Sequence, residues 1–422
     1  MTVRRLPAAV VVLMVAMPAV AQEASTEPST PRDGGWSVRW DNRPEIEGPG
    51  RLRMRFHARV QAEGRLTGAT VEKGDDSSEV ERRRVGIEGT LGDVLEFEIE
   101  RELGSGSPWR DAFINYRRVR GAQVQAGQFK LPFGLEETTG RASLDFISRS
   151  LISERLAPGR DSGLMLHGRL ARKTVGYEVG LFAHDGDNAR PDGGRRVFGG
   201  RTLAGRLTVE PFRRSKSTLL DVRLGAAYTH SVLPEGFPAI RGRSVLGVKF
   251  FPSDLWVKGN RQRAGLQAQW RPGRFSVASE FIRVRDERRA QSLESTDLPP
   301  FLSQGWYVSG TWVVAGARRA STVAAPGRPL FHGGFGSVQL ALRLERLSLG
   351  NVQRTAAQWT SPRAESVPGN RDTATTLGVT WHPNRWVAIE GNLVREAMGG
   401  AAHDPFPRAR VWGRLIQLQL AV

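Results

Sequence analysis

The chain has 422 residues with no cysteine, and it contains few lysines. Without cysteine it cannot use the disulfide framework that stabilises many exported proteins. A closed β-barrel has no need of disulfides, because its backbone hydrogen bonds are satisfied within the sheet. Only six of the 61 basic residues are lysines, so arginine provides nearly all of the positive charge.

That charge is strongly one-sided, with a formal net value of +18 at pH 7. The planar guanidinium of arginine suits phosphate and carboxylate groups, whereas the ammonium of lysine acts as a point charge. The excess of arginine therefore predicts an anionic partner, namely nucleic acid, lipid headgroups or a small anion.

Long hydrophobic runs are missing after the N-terminus, so we expect no transmembrane helix there. The N-terminus itself combines Arg4 and Arg5 with an apolar run over 6–17 and the small residues Ala19-Val20-Ala21, which is typical of a secretory signal peptide. A single membrane anchor is the alternative, but the run is too short to span a bilayer comfortably. We predict a signal peptide over residues 1–21 and a flexible leader over residues 22–50. Export argues against nucleic acid as the partner.

From residue 51 to residue 422, apolar and polar residues alternate, as in the stretch RLRMRFHARV at 51–60. Successive side chains of a strand point to opposite faces, so one face of this strand would be apolar. The other face would carry four arginines: Arg51, Arg53, Arg55 and Arg59. Apolar pairs at helical spacing are rare, and the pattern predicts an all-β protein.

A β-sandwich would also alternate, but three features favour a transmembrane antiparallel β-barrel. The strands are about nine to eleven residues or longer, as a tilted membrane crossing requires. The polar face is charged along whole strands, as in a water-filled lumen. Short turns alternate with long loops, as in outer-membrane barrels.

The strand count comes from parity. Seventeen candidate strands follow residue 51, but a single-chain barrel with both ends in the periplasm needs an even number. Val245–Phe250 would put short turns on opposite sides, so we assign it to a long outer loop over 230–261, which leaves 16 strands. Trp36–Trp40 alternates too, but it is short and precedes the barrel.

The stretch GQFKLPFGLEETT at Gly127–Thr139 resembles the phosphate-selective porin O and P family. ERLAPGRDSGLMLHG at 154–168 and LAGRLTVEPF at 203–212 support the resemblance. It implies a 16-stranded barrel, usually trimeric, that passes phosphate or other anions across the bacterial outer membrane. Lys130 and Arg206 occupy the lysine and arginine positions of two family motifs. The scarcity of lysine implies that the family's lysine cluster is thinned or replaced by arginine.

We predict that inward arginines form a path for anions. Its members are the first-strand ladder Arg51, Arg53, Arg55 and Arg59, together with Lys130, Arg206, Arg223 and Arg263. A row of weak sites lets an anion enter, move on and leave. The alternative is that these arginines pair with inward carboxylates such as Glu88, Glu96 and Glu98 and set only a transverse field.

The long loop over 131–161 is expected to fold into the lumen. It would bring four cations to a constriction: Arg141, Arg149, Arg155 and Arg160. The alternative is an outer loop whose arginines bind lipopolysaccharide phosphates or neighbouring subunits of a trimer.

Catalytic, cofactor and metal sites are not indicated, because the seven histidines are isolated and lie in no known catalytic spacing. The leading hypothesis is a passive, anion-preferring porin for phosphate or polyphosphate, forming a homotrimer in outer-membrane lipid and lipopolysaccharide. The alternatives are a porin for anionic organic solutes, a barrel enzyme that depends on a histidine such as His167 or His230, and a plugged, non-conducting barrel.

Overall fold

The computed structural model describes residues 35–40, 43–67, 77–104, 109–119, 121–187, 200–213, 218–240, 242–251, 255–316, 328–330, 333–350, 363–365, 367, 369–399 and 409–422. The predicted signal peptide over residues 1–21 and the first part of the predicted leader lie outside these residues. None of the helices in the described ranges is long and apolar enough to cross a membrane.

Sixteen strands form one closed antiparallel barrel, as predicted. They are β3(Leu52–Thr67), β4(Ser77–Leu91), β5(Leu95–Glu102), β6(Trp109–Val119), β7(Ala122–Lys130), β8(Arg160–Leu170), β9(Val175–Phe182), β10(Thr202–Val209), β11(Arg223–Pro238), β14(Trp256–Trp270), β15(Phe275–Arg288), β16(Leu298–Ala315), β17(Ser337–Leu349), β18(Asn370–His382), β19(Val387–Met398) and β20(Ala409–Ala421). The last strand pairs with the first, with Gly413 opposite Thr67 and Ala421 opposite Arg59.

The two faces of the barrel wall differ as the alternation predicts. On β17, Leu340, Leu342 and Leu344 are exposed on the outside, whereas Arg343 and Glu345 point inward and are buried. Exposed apolar side chains recur on the outer face of almost every strand, and so large an apolar surface is stable only against lipid.

Five turns at one end of the barrel contain between two and four residues: 92–94, 120–121, 171–174, 271–274 and 383–386. In outer-membrane barrels the short turns face the periplasm, so we call this end the periplasmic end and the opposite end the outer end. Two connections at the periplasmic end, 210–222 and 316–336, are longer than the alternation of loop lengths predicts.

Part of the segment predicted to be a flexible leader is a β-hairpin. Its strands β1(Ser37–Trp40) and β2(Pro44–Gly48) pair with each other, and β2 also pairs with the periplasmic end of β3. Ile46 lies opposite Met54, and Glu47 lies opposite Arg53. The hairpin forms because β3 extends beyond the end of β20 and would otherwise leave its backbone groups unpaired.

The connection 131–159 between β7 and β8 folds into the lumen, as predicted, and we call it the inward loop. It contains two short helices, α1(Leu135–Thr138) and α2(Leu151–Arg155). Its side chains Leu131, Phe133 and Ile152 are fully buried. Gly127, just before the loop, has a φ of +130°, and a Cβ there would lie 2.2 Å from the carbonyl oxygen of Ala112. The glycine of the GQFK motif therefore has no room for a side chain.

The connection 239–255 between β11 and β14 also turns inward, so the prediction of an outer loop over 230–261 was wrong in two respects. The strands β11 and β14 extend into that range, and most of the described residues between them are buried inside the barrel. Phe250, Phe251 and Leu255 are fully buried, and the two short strands β12(Gly242–Arg243) and β13(Lys249–Phe251) pair with each other. Such an apolar segment is more stable in the lumen than in water. Val245–Phe250 is not a barrel strand, as predicted.

Substitution of a buried arginine on β17 tests how much its contacts with the inward loop contribute to stability. Arg343 binds Glu345 at 2.9 Å, Glu136 at 3.3 Å and the carbonyl oxygen of Ser148 at 3.0 Å. Arg343→Met should lower the free energy of unfolding by about 3–5 kcal/mol, because it leaves two carboxylates buried without their partner. Urea unfolding in phospholipid vesicles measures this difference. Arg346→Met, on the same strand but facing outward, should change stability little, and equal losses in the two variants would contradict the assignment.

Candidate functional site

Two glutamates of the barrel wall hold the N-termini of the inward helices. Glu280 on β15 accepts hydrogen bonds from the backbone N–H groups of Leu135 (2.5 Å) and Glu136 (3.0 Å) at the start of α1. Glu345 on β17 accepts one from the N–H of Leu151 (2.6 Å) at the start of α2. The first N–H groups of a helix have no intrahelical partner, and a carboxylate satisfies them and matches the helix dipole. The wall therefore fixes the position of both helices.

Three inward arginines of the wall each join a carboxylate to a backbone carbonyl of the inward loop. Arg206 pairs with Glu178 and donates to the carbonyl oxygen of Gly134 at 2.9 Å. Arg263 pairs with Asp185 and donates to the carbonyl oxygen of Leu156 at 2.9 Å. Arg343 likewise pairs with Glu345 and donates to the carbonyl oxygen of Ser148. Arg206 and Arg263, predicted to line the anion path, thus brace the loop that narrows it.

The four arginines predicted at the constriction all have partners. Arg141 donates to both carboxylate oxygens of Glu154, at 2.8 and 2.6 Å, within the loop. Arg149 pairs with Glu137 at 3.0 Å, and Arg155 donates to the carbonyl oxygen of Arg243 in the second inward segment. Arg160, the first residue of β8, forms a bidentate pair with Asp111 on β6 at 2.7 and 3.1 Å. Because these side chains lie inside the barrel, they do not face external lipopolysaccharide.

The first-strand ladder begins at Arg53. Arg51 precedes the strand in a turn, has a φ of 59° and pairs with Asp93 at 2.8 Å. Arg53 and Arg55 face inward at the periplasmic end, where more than half of each side chain is exposed. Their nearest carboxylates are those of Glu47, at 3.6 Å, and Glu88, at 3.3 Å.

Arg59 differs from its neighbours on β3. It makes no ion pair with any described carboxylate, and its buried Nε has no hydrogen-bond partner. It lies among the charges of Glu100, Glu102 and Arg84, and Arg84 takes both carboxylates as partners at 3.2 and 2.7 Å. Arg59 is therefore the one arginine of the ladder that makes no ion pair with a described carboxylate.

The open side of the lumen lies along β3–β6. Inward side chains on β14–β19 such as Arg263, Glu280 and Glu345 are fully buried under the two inward segments. On β3–β5, Gln61, Arg84 and Glu100 are buried, but most other inward side chains remain partly exposed, and both signs of charge are present there, as Arg59 and Glu98 illustrate. The inward segments therefore cover this wall less completely than the β14–β19 wall.

Arg223 lies at the periplasmic end, away from the constriction. Its guanidinium binds Glu210 at 2.8 Å, and Arg169 and Arg213 bind the same carboxylate. Glu210, Arg213 and Arg223 adjoin a cavity of about 260 Å³ that is also lined by Asp221 and Arg271. One carboxylate shared by three guanidiniums leaves this cluster positive.

Lys130, the lysine of the GQFK motif, points into the inward loop. Its Nζ donates to the carbonyl oxygen of Thr139 at 2.9 Å, and its nearest charges include Arg149 and Glu137. It therefore fastens the loop in this arrangement and does not front the open passage.

The two histidines weighed as catalytic residues lie on opposite faces of the wall. His167 points inward and hydrogen-bonds Asn115 at 3.1 Å, whereas His230 shares the outward parity of Tyr228 and Val232. Among the described residues, no group of three or more potential metal ligands is found.

Sequence reasoning missed the wall residues that hold the inward segments. These residues are Glu280, Glu345, Asn392 and Glu396, of which Glu396 accepts hydrogen bonds from Ser244 and from the N–H of Val245. A usable signal was the inward parity of these mid-strand glutamates. A second was the apolar composition of residues 239–255, which is unusual for an external loop.

The pair of Arg141 and Glu154 makes the inward loop sensitive to pH. Burial alone would raise the pKa of the Glu154 carboxyl, but the guanidiniums of Arg141, Arg149 and Arg155, with Arg141 first among them, together outweigh burial and lower that pKa to about 2. The pair therefore stabilises the folded loop above the ordinary value of 4.5, and this contribution is lost as the pH falls to about 2.

Glu154→Gln should accordingly lower the midpoint of thermal unfolding at neutral pH, and its difference from the wild type should vanish near pH 2. Tryptophan fluorescence in detergent micelles follows the transition. Glu294→Gln, in an exposed outer connection, serves as the control and should match the wild type throughout. A difference for Glu154→Gln that stays constant with pH would contradict the role of this pair.

Solved porin structures share the fold. An anion-selective porin from Comamonas acidovorans matches with a TM-score of 0.55 at 11% identity, covering 88% of this chain and 100% of that one. A trimer form of OmpT, an outer membrane protein of Vibrio cholerae, matches with a TM-score of 0.54 at 11% identity, covering 88% and 99%. OmpF of Salmonella typhi, in complex with daunomycin, matches with a TM-score of 0.52 at 11% identity, covering 92% and 100%.

The sequence itself matches a family over most of its length. Residues 51–238 and 241–394 match the family described as phosphate-selective porin O and P, whereas no curated protein matches. The matched residues include the barrel strands from β3 to β18, the larger part of β19 and both inward segments, apart from two residues between β11 and β12. The protein therefore belongs to the phosphate-selective porin O and P family and has the barrel of an outer-membrane porin.

Proposed function

We propose that the protein is a passive, anion-preferring porin whose solutes include phosphate or polyphosphate. Solutes move between the β3–β6 wall and the inward loop, and no catalytic step is involved. The N-terminal segment directs export, and the mature chain forms a homotrimer, which the trimer form of the structurally similar OmpT supports.

The observation that carries the proposal is the sharing of carboxylates at the periplasmic end. Glu47 pairs with Arg39 and Arg53, and Glu88 pairs with Arg43 and Arg55. Glu210 pairs with three more arginines, so seven guanidiniums share three carboxylates.

An excess of positive charge at the mouth of a low-dielectric channel raises the local concentration of anions and lowers that of cations. Because each contact is partly exposed and shared, these arginines bind an anion weakly and release it, as conduction requires. At the constriction, Arg141, Arg149 and Arg160 are each paired with a carboxylate, so they affect the shape of the passage more than its net charge.

The test is the reversal potential of the refolded protein in a planar bilayer under a KCl gradient. The wild type should be anion-selective, and added phosphate should reduce the chloride current. Arg53→Gln/Arg55→Gln/Arg59→Gln should lower the anion-to-cation permeability ratio by a factor of about two to five, since a nearby charge in water contributes up to about 1 kcal/mol before screening.

A matched control removes three arginines that do not line the passage. Arg283→Gln/Arg285→Gln/Arg346→Gln lies on the outer face of β15 and β17 and should keep the wild-type permeability ratio. Anion selectivity without block by phosphate would indicate that the solutes are anionic organic compounds and not phosphate. Cation selectivity would overturn the proposal, and an absence of conductance would favour a plugged barrel.

A further inference from the structure

A second group of arginines faces away from the lumen. On the outer face of β15 and β17–β20, basic side chains lie towards the outer end of the strands. They are Arg283, Arg285, Arg346, Arg371, Arg395, Arg410 and Arg414. Below them, the outward positions of these strands are apolar or uncharged down to the periplasmic turns. On these strands, charge at the lipid face is therefore confined to the outer end.

Three of these arginines surround one tryptophan on the last two strands. Arg395 on β19 lies opposite Trp412 on β20, with its Cζ 5.5 Å from the centre of the indole ring. Arg410 and Arg414 lie two residues before and after Trp412 and so share its face of β20. Arg395 is therefore a diagonal neighbour of both Arg410 and Arg414, at a separation of about 7–8 Å from each, and we call these three arginines the cluster.

The cluster has no acidic partner among the described residues. Neither Arg395, Arg410 nor Arg414 makes an ion pair with a described carboxylate, and all three are exposed. An unpaired arginine at mid-depth of the lipid face would cost about 2–4 kcal/mol, and this cost falls to about 0–1 kcal/mol near the membrane interface. The cluster thus belongs at the level of the headgroups, where Trp412 is also favoured.

We propose that Arg395, Arg410 and Arg414 around Trp412 form a binding site for the phosphate groups of an outer-leaflet glycolipid. A bisphosphorylated headgroup offers several charged oxygens that accept bidentate hydrogen bonds from planar guanidinium groups, and it lies at the depth of the cluster. Two carboxylates at this rim, Glu235 and Glu287, already pair with Lys258 and Arg289 and are thus less available to a second copy of the chain.

The experiment measures retention of a defined lipid by the refolded full chain. Protein in detergent is mixed with bisphosphorylated lipid A or with the same lipid stripped of phosphate, and bound lipid is counted by native mass spectrometry. The wild type should retain the bisphosphorylated form preferentially. Arg395→Gln/Arg410→Gln/Arg414→Gln should weaken retention by roughly tenfold or more, since one arginine near an anionic lipid surface contributes a factor of about five.

Two further variants complete the test. Arg395→Lys/Arg410→Lys/Arg414→Lys keeps the charge and should keep most of the binding, which guards against a loss of folding in the glutamine variant. Arg53→Gln/Arg55→Gln/Arg59→Gln removes the same charge from the lumen and should retain lipid like the wild type. This lumen variant should instead change the ion selectivity, so failure of the lipid site and failure of the proposed anion path are distinguishable.

Equal retention of the two lipids by the wild type would overturn the proposal, as would unchanged retention in the glutamine variant. Loss of the trimer with unchanged lipid retention would also overturn it, because the arginines would then contact a second copy.

Discussion

The structure depends on polar side chains of the barrel wall that satisfy the backbone of the inward loop. A loop without regular structure carries N–H and C=O groups that cost free energy when they are buried unpaired. Glu280 and Glu345 accept from the N–H groups, and Arg206, Arg263 and Arg343 donate to the carbonyl groups. The contacts come from strands spread around the barrel, so the loop crosses the lumen and is held from several sides.

The chemistry of these contacts explains why the chain contains so much arginine and so little lysine. A guanidinium has five donors in a fixed plane, so it can bind a carboxylate on the wall and a loop carbonyl at the same time. Arg263 does so with Asp185 and Leu156, and it stays fully buried. Lys130, with a single nitrogen, donates to one loop carbonyl. Much of the arginine content, which by itself predicts an anionic partner, therefore serves to hold the inward loop in place.

The alternation of residues predicted the closed barrel, its 16 strands and the inward direction of residues 131–159, because side-chain parity and an apolar outer face constrain every strand in the same way. The partners of the inward residues could not be predicted. Glu280 and Leu135 are 145 positions apart, and only the register of the strands and the path of the loop bring them together. A parity pattern places a charge on the inner face but does not say which opposite charge lies beside it.

The segment 239–255 shows a different limit. The alternation of Val245–Phe250 was correctly rejected as a barrel strand, yet the same apolar side chains that suggested a strand are what draw the segment into the lumen. Its backbone is then anchored by Glu396, as the inward loop is anchored by Glu280 and Glu345. In both segments that fill part of the lumen, a glutamate of the barrel wall therefore holds the backbone in position.

The positive charge of the chain thus has three separate environments. Within the lumen, arginines such as Arg160 and Arg343 are paired with carboxylates and set the shape of the passage. At the periplasmic end, carboxylates are shared and a net positive charge remains. On the outer face, Arg395 and its neighbours have no described acidic partner. Exposed charges are screened beyond about 10 Å at 0.1 M salt. Selectivity that arises at the mouth of the channel must therefore weaken as salt rises, whereas a buried, charged constriction would be screened much less.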